Sequence, residues 1–111
     1  MAARVVVLAA WLVAATLQYQ DNRLPAAEAS LQRFMELASA SADADLRRKS
    51  LTQAYLLHAQ IAEKKKDFAG AEAWLARIDN AEEVFGAQTR RASLLARQGK
   101  LAQARALLRS L

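Results

Sequence analysis

The side chains most often used in catalysis and metal binding are scarce in this chain. Its 111 residues include no cysteine and a single histidine, His58. A zinc site would need carboxylates for its remaining ligands, and no HExxH-like spacing supplies them. A general base also needs a nucleophile within reach, and no Ser, Cys or carboxylate pattern is placed to use His58. The sequence therefore predicts no catalytic residues, no metal, no cofactor and no small-molecule substrate, with His58 packed as a partly buried side chain.

Basic residues form the second group that could carry a function. The formal net charge is +5, short Arg and Lys runs occupy residues 47–49 and 64–66, and from Val84 onward there are six basic residues and no acid. Such runs are usually the solvated faces of helices, and cations near a helix C-terminus also interact favourably with its dipole. The alternative is a basic helical module that binds nucleic acid or an anionic membrane surface.

The elements that must position these residues are helices. About half of the chain is apolar, with much alanine and with three glycines and one proline to interrupt regular structure. Ala, Leu, Gln, Glu, Arg and Lys lose the least conformational freedom in a helix. The length suits one folding unit, so we expect a single all-α domain.

An internal repeat organises the helices. Residues 66–78 align with residues 99–111 at an offset of 33, and residues 22–34 align with residues 66–78 at an offset of 44. In each block a tight turn precedes a helix whose apolar positions fall three and four residues apart, which places them on one face. These positions are Leu24, Ala27, Leu31 and Phe34 in the first block, Phe68, Ala71, Leu75 and Ile78 in the second, and Leu101, Ala104, Leu108 and Leu111 in the third.

Each repeat helix has a partner helix directly before it. The partners span residues 4–19, 46–64 and 81–98, and each carries a small residue, Ala15, Ala59 or Ala92, nine positions before the apolar residue that opens the next helix. Small residues on both sides let the two helix axes approach closely. We therefore predict three antiparallel pairs in one domain over residues 1–111: repeat 1 at about 4–38, a linker at 39–45, repeat 2 at about 46–79 and repeat 3 at about 81–111.

This pattern resembles the tetratricopeptide repeat. The family places a large residue, a small one four later, an aromatic nine after that, and then an alanine, a leucine or aromatic and another aliphatic. The matching positions are Trp11, Ala15, Leu24, Ala27, Leu31 and Phe34, then Tyr55, Ala59, Phe68, Ala71, Leu75 and Ile78, then Ala92, Leu101, Ala104, Leu108 and Leu111. The third repeat departs from the pattern, with Gln88 in place of the leading aromatic, and His58 and Arg91 stand where the family prefers leucine. More narrowly, residues 66–111 are similar to internal segments of long bacterial proteins that contain many such repeats.

The resemblance implies an α-α superhelix, a solenoid whose concave groove holds a partner peptide or protein. The groove positions carried over from the family are Leu12, Thr16, Tyr19 and Gln20, then Gln53, Leu56, Gln60 and Lys64, then Thr89, Arg90, Ser93 and Arg97. This lining is apolar at one end and basic at the other, which suits a partner that combines apolar anchors with acidic residues. Of the family's carboxylate clamp only Arg90 matches, so an acidic chaperone tail is not the expected partner.

The two ends of the sequence bear on compartment and assembly. The apolar run in residues 5–13, behind one arginine, fits the pattern of a secretory signal peptide, but we expect a packed first helix. The compartment therefore stays open between the cytoplasm and the periplasm or cell envelope. The first and last helices lack the polar caps that repeat arrays normally carry. We expect either a fragment of a longer array or a homo-oligomer formed through the apolar ends.

Overall fold

The computed structural model describes residues 2–78 and 81–110, with side chains placed for residues 5–78 and 84–110. Those residues form six helices and no strand, which confirms the all-α prediction. The helices are α1 Ala2–Gln20, α2 Leu24–Ser39, α3 Ala44–Lys64, α4 Phe68–Ala76, α5 Ala81–Arg97 and α6 Leu101–Arg109. The chain divides into two compact units, Met1–Leu57 and His58–Leu111.

The first unit is built on the pairing of α1 with α2. A three-residue turn joins them, with Asn22 in the left-handed region at φ 59° and Pro25 in the first turn of α2, where a missing amide hydrogen costs little. So short a connection makes the two helices antiparallel neighbours. Ala15 of α1 and Ala27 of α2 are both fully buried. The predicted small positions therefore lie in the core of this unit.

The apolar face of α2 agrees with the predicted spacing. Leu31 and Phe34 are buried with Ala27, and Leu24 at the start of the helix is half-buried. A polar contact also joins the two helices: the side-chain amide of Gln18 on α1 lies 2.7 Å from Ser30 Oγ on α2. A hydrogen bond between these two groups lets the buried Ser30 hydroxyl avoid the cost of an unpaired polar group.

The connection from α2 to α3 is shorter than the predicted linker. The interval between them is residues 40–43, so α3 begins two residues before the expected position 46. Its start is fixed by Asp43, whose Oδ1 accepts hydrogen bonds from the backbone N of Asp45 at 3.0 Å and of Leu46 at 3.2 Å. Asp43 is therefore the N-terminal cap of α3.

The second unit holds the last turns of α3 together with α4, α5 and α6. Its two tight turns each use a left-handed residue, Lys66 at φ 62° and Gly99 at φ 79°. Asp67 caps α4 by accepting a hydrogen bond from the backbone N of Gly70 at 3.0 Å. The predicted core positions of the second repeat are buried, with Phe68 half-buried at the edge: Ala59, Ala71, Leu75 and Ile78.

The last helix differs from the prediction on one face. Ala104 is buried and packs with Ala92 and Leu95 of α5, against which Leu107 is also partly buried. Leu101 and Leu108, predicted on the same apolar stripe, are exposed. The reason is that α5 covers one side of α6, and that side is centred on Ala104 and Leu107. Leu111, the last predicted position of the stripe, lies outside the described residues.

Candidate partner-binding surface on α5

The predicted groove residues of the first unit lie on α1 and on the first part of α3. Leu12, Thr16 and Tyr19 are half-buried and follow one side of α1, while Gln53 is exposed and Leu56 half-buried on α3. Gln20, at the end of α1, is exposed. Thr16 Oγ1 donates to the Leu12 carbonyl oxygen at 2.8 Å. That hydroxyl hydrogen is used within the helix, so Thr16 offers an incoming partner mainly its methyl group.

The predicted groove residues of the second unit lie on the last turns of α3 and on α5. Gln60 and Arg90 are half-buried, and the others are exposed: Lys64, Thr89, Ser93 and Arg97. The exposed positions of α5 are spaced four residues apart, so they follow one side of that helix.

A fourth residue extends this row to the start of α5. Phe85 lies four positions before Thr89 and is 67% exposed, the largest exposed fraction among the bulky apolar side chains described. Gly86 beside it has no heavy atom within 4 Å of the position that a Cβ would occupy. We call Phe85, Thr89, Ser93 and Arg97 the α5 ridge. It presents an aromatic ring at one end and a guanidinium at the other.

Sequence reasoning missed Phe85 because the family pattern begins later in this repeat, at Gln88. The available signal was the four-residue spacing from Thr89, together with a large apolar side chain beside a glycine.

The basic end of the α5 ridge is paired with an acid that sequence reasoning also missed. Glu63, on the last turns of α3, accepts from Arg90 Nη2 at 3.0 Å and from Arg90 Nε at 3.2 Å, and its other oxygen lies 3.8 Å from Arg97 Nη1. The predicted basic lining is therefore partly neutralised, because one carboxylate serves two guanidinium groups.

Arg97 is the more loosely held of the two arginines. Its side chain is 57% exposed, its ion pair with Glu63 is long, and its guanidinium lies 5.7 Å from the centre of the Phe68 ring. An exposed ion pair of this kind contributes about 0–1 kcal/mol, and a cation over an exposed ring about 0.5–1 kcal/mol. A carboxylate arriving from a partner can therefore replace Glu63 at Arg97 with little loss to the fold.

Two polar residues of α5 that depart from the predicted repeat pattern, Gln88 and Arg91, form a hydrogen bond with each other. Gln88 stands where the family has an aromatic, and its Oε1 accepts from Arg91 Nη1 at 2.7 Å. Arg91, where the family has leucine, also donates through Nη2 to Glu72 Oε1 of α4 at 3.2 Å. The polar side chains that replace two apolar ones thus form a chain of hydrogen bonds between α4 and α5.

His58 lies in the interior of the second unit rather than on a reactive surface. It is buried, and its ring stacks on the indole of Trp74 at a centroid distance of 4.1 Å and an interplanar angle of 7°. Arg77 also contacts the indole, with its guanidinium carbon 4.4 Å from the ring centre. Within the described residues, no group of three or more His, Asp and Glu side chains is arranged to hold a metal ion.

The basic run at 47–49 is engaged locally. Arg48 Nη2 donates to Asp45 Oδ1 at 2.7 Å, and Arg47 Nη1 donates to the Ser41 carbonyl oxygen at 2.8 Å. Two of the three cations thus hold the first turns of α3. Of the helices that the structure describes, none is both long enough and apolar enough to span a bilayer.

Comparison with known proteins finds no protein similar to this chain. Protein-family models, curated proteins and solved structures give no match to this chain.

Proposed function

We propose that this chain is a tetratricopeptide-like protein-interaction module without catalytic activity. Its three helix pairs would form an α-α superhelix of the tetratricopeptide kind and hold a partner segment on the first helix of each pair. The burial of all six alanines at the predicted small positions supports this assignment: Ala15, Ala27, Ala59, Ala71, Ala92 and Ala104. Close helix approach at equivalent depths in each repeat is what the pattern requires.

The partner that fits best is a protein or peptide segment with an apolar anchor and nearby acidic residues. The observation that carries this proposal is the α5 ridge, where exposed Phe85 and loosely paired Arg97 stand at the two ends of one row of side chains on a single helix. A large apolar or aromatic side chain against Phe85 would supply most of the binding energy, since aromatic anchors dominate interface energetics. A partner carboxylate exchanging with Glu63 at Arg97 would fix the register.

Fluorescence anisotropy with two labelled peptide pools tests this function. One pool alternates Asp or Glu with Leu or Phe, and the matched pool carries Lys in place of the acids. We expect the acidic pool to bind at least about tenfold more tightly, because charge complementarity discriminates between partners. Phe85→Ser should weaken binding by about tenfold, the usual effect of removing an aromatic anchor.

The proposed contribution of the basic residues to peptide binding needs a matched control. Arg90→Glu with Arg97→Glu reverses two charges beside the α5 ridge, and Arg105→Glu with Arg109→Glu reverses two exposed charges on α6. We expect the first pair to abolish binding and the second to weaken it less than about threefold, since exposed charges are screened over a Debye length. Unchanged binding in the first pair would remove the basic half of the proposal. Equal losses in both pairs would mean that net charge, and not the α5 ridge, attracts the peptide.

A further inference from the structure

Among the described residues, α1 carries five of the eight large apolar side chains that are exposed. Val6, Val13 and Leu17 are 66%, 56% and 59% exposed, whereas Leu8 and Ala15, on the opposite side of the helix, are 7% and 0% exposed. Both sides of α1 are therefore apolar, and α2 covers one of them. A solvated helix face ordinarily carries charged or polar side chains.

The exposed side has the spacing of a helix-pairing seam. Val6, Ala10, Val13, Leu17 and Gln20 are separated by four, three, four and three residues, and all five are exposed. That alternation averages 3.5 residues and places the five side chains in one row, as in a coiled coil. We call these five residues the α1 seam.

No charge interrupts this surface. The sequence between residues 5 and 20 contains no Asp, Glu, Lys, Arg or His. The one hydroxyl group in this stretch outside Tyr19, that of Thr16, donates to the Leu12 carbonyl. A partner helix could cover the α1 seam without burying an unpaired ion, which is the usual obstacle to packing two surface helices together.

The seam is also complementary to itself when the second helix runs in the opposite direction. With the centre of the pairing between residues 11 and 12, Val6 lies opposite Leu17 of the second copy, and Ala10 lies opposite Val13. Each small residue then faces a larger one. A parallel pairing instead puts Ala10 opposite Ala10 and leaves a gap, which costs packing energy.

The area suits a weak, transient dimer. The three large apolar side chains of the α1 seam, Val6, Val13 and Leu17, expose roughly 300 Å² in each copy. Two copies would cover roughly 600 Å² of them, below the about 1,200 Å² of a standard interface, so the contact belongs to the weak class.

We propose that two copies of this chain associate through their α1 seams, antiparallel and related by a twofold axis. Such an isologous contact closes on itself, and the α5 ridge contributes no residue to it. The association does not depend on the proposed peptide binding. Area alone does not set affinity, but a contact this small belongs to the weak class, for which we expect a dissociation constant on the order of tens of micromolar.

Sedimentation velocity over concentrations from about 1 to 300 μM tests the proposal, since that interval brackets the expected constant. We expect the wild-type chain to pass from monomer to dimer. Val13→Lys, which places a charge in the middle of the α1 seam, should remain monomeric throughout. Leu108→Lys, the same kind of change at an exposed leucine of α6, should dimerise like the wild type. Circular dichroism verifies that each variant keeps its helix content.

The orientation has its own test. Ala10→Lys alone should abolish the dimer, and adding Val13→Glu should restore it, because the antiparallel pairing sets each new cation opposite a new anion. A parallel pairing sets like charges opposite each other, so failure of the double variant to recover would overturn the orientation.

Three results would overturn the interface itself. They are a wild-type chain that is monomeric at every concentration, a dimer that survives Val13→Lys, and a dimer lost in Leu108→Lys alone. Cosedimentation of a monomeric wild-type chain with phosphatidylcholine vesicles would indicate that the α1 seam binds a lipid surface. That result would also overturn the proposed dimer interface.

Discussion

At the scale of single residues, His58 is a side chain of a type common in catalytic sites that here has a packing role. The ring of His58 stacks on Trp74 in a near-parallel arrangement. Aromatic pairs contribute about 0.5–1.5 kcal/mol beyond the area that they bury. The imidazole therefore acts here as a flat packing group between α3 and α4.

Truncation of His58 should show this packing role. We expect His58→Ala to lower the free energy of unfolding by about 2–3 kcal/mol, because it leaves a cavity against the Trp74 indole. His58→Leu keeps the volume and should cost less than about 1.5 kcal/mol. Urea denaturation followed by circular dichroism measures both, with Gln53→Ala as an exposed control on the same helix. Equal losses in the Ala and Leu variants would indicate that a polar interaction of the ring matters more than its bulk.

The N-terminal cap of α3 provides a sharper comparison, since two aspartates two positions apart have different roles. Asp43 accepts two backbone hydrogen bonds, whereas Asp45 forms an exposed ion pair with Arg48. We expect Asp43→Ala to reduce the free energy of unfolding by about 1 kcal/mol and Asp45→Ala by no more than about 0.5 kcal/mol. The two urea midpoints decide the matter, and a larger loss for Asp45→Ala would contradict the cap assignment.

At the scale of elements, small side chains set how closely the helices of a pair approach. Ala27 on α2 is fully buried, while Ala29, two positions later on the same helix, is exposed. The same substitution at both sites separates packing from helix propensity. A leucine at position 27 has no space between α1 and α2, and a leucine at position 29 extends into solvent.

We therefore expect Ala27→Leu to destabilise the chain by about 1–3 kcal/mol, the usual cost of overpacking. Ala29→Leu should change stability by less than about 0.5 kcal/mol. Thermal and urea unfolding of the two variants provide the measurement. If Ala27→Leu were as stable as the wild type, the close approach inferred for α1 and α2 would be wrong.

Periodicity in the sequence was enough to predict the helices and most of their buried faces. The spacing of Ala27, Leu31 and Phe34 identified the core side of α2 because a helix brings such positions together whatever the fold. The same reasoning was wrong for Leu101 and Leu108. A periodic stripe shows which residues share a face, but the neighbour that covers that face is a matter of tertiary structure.

The site was less predictable than the fold for a related reason. Four-residue spacing could place Thr89, Ser93 and Arg97 together, but Glu63 and Arg90 are 27 residues apart and meet through the packing of α3 and α5. Long side chains choose among several partners, and the choice depends on distances that local sequence does not contain. The charge of the α5 ridge was therefore overestimated from the sequence alone.

At the scale of the whole molecule, the positions of the acidic residues determine how much of the net charge of +5 is available to an anionic partner. The segment from Val84 onward has six basic residues and no acid, yet Arg90 and Arg91 are paired with Glu63 and Glu72 from earlier helices. Compensation between helices breaks up the continuous basic strip that tracking a phosphate backbone requires.

Binding of a random single-stranded oligonucleotide should accordingly be weak. We expect a dissociation constant no tighter than about 10 μM at moderate salt, and a plot of log K against log salt with a slope magnitude below about 2. Glu63→Gln with Glu72→Gln should tighten this binding several-fold, because it releases Arg90, Arg91 and Arg97 from their carboxylates. Anisotropy titrations between low and moderate salt measure both quantities. A wild-type slope equivalent to four or more phosphates, unchanged in the double variant, would show that these acids do not limit the protein's affinity for nucleic acid. A nucleic-acid-binding function would then replace the proposed peptide-binding function.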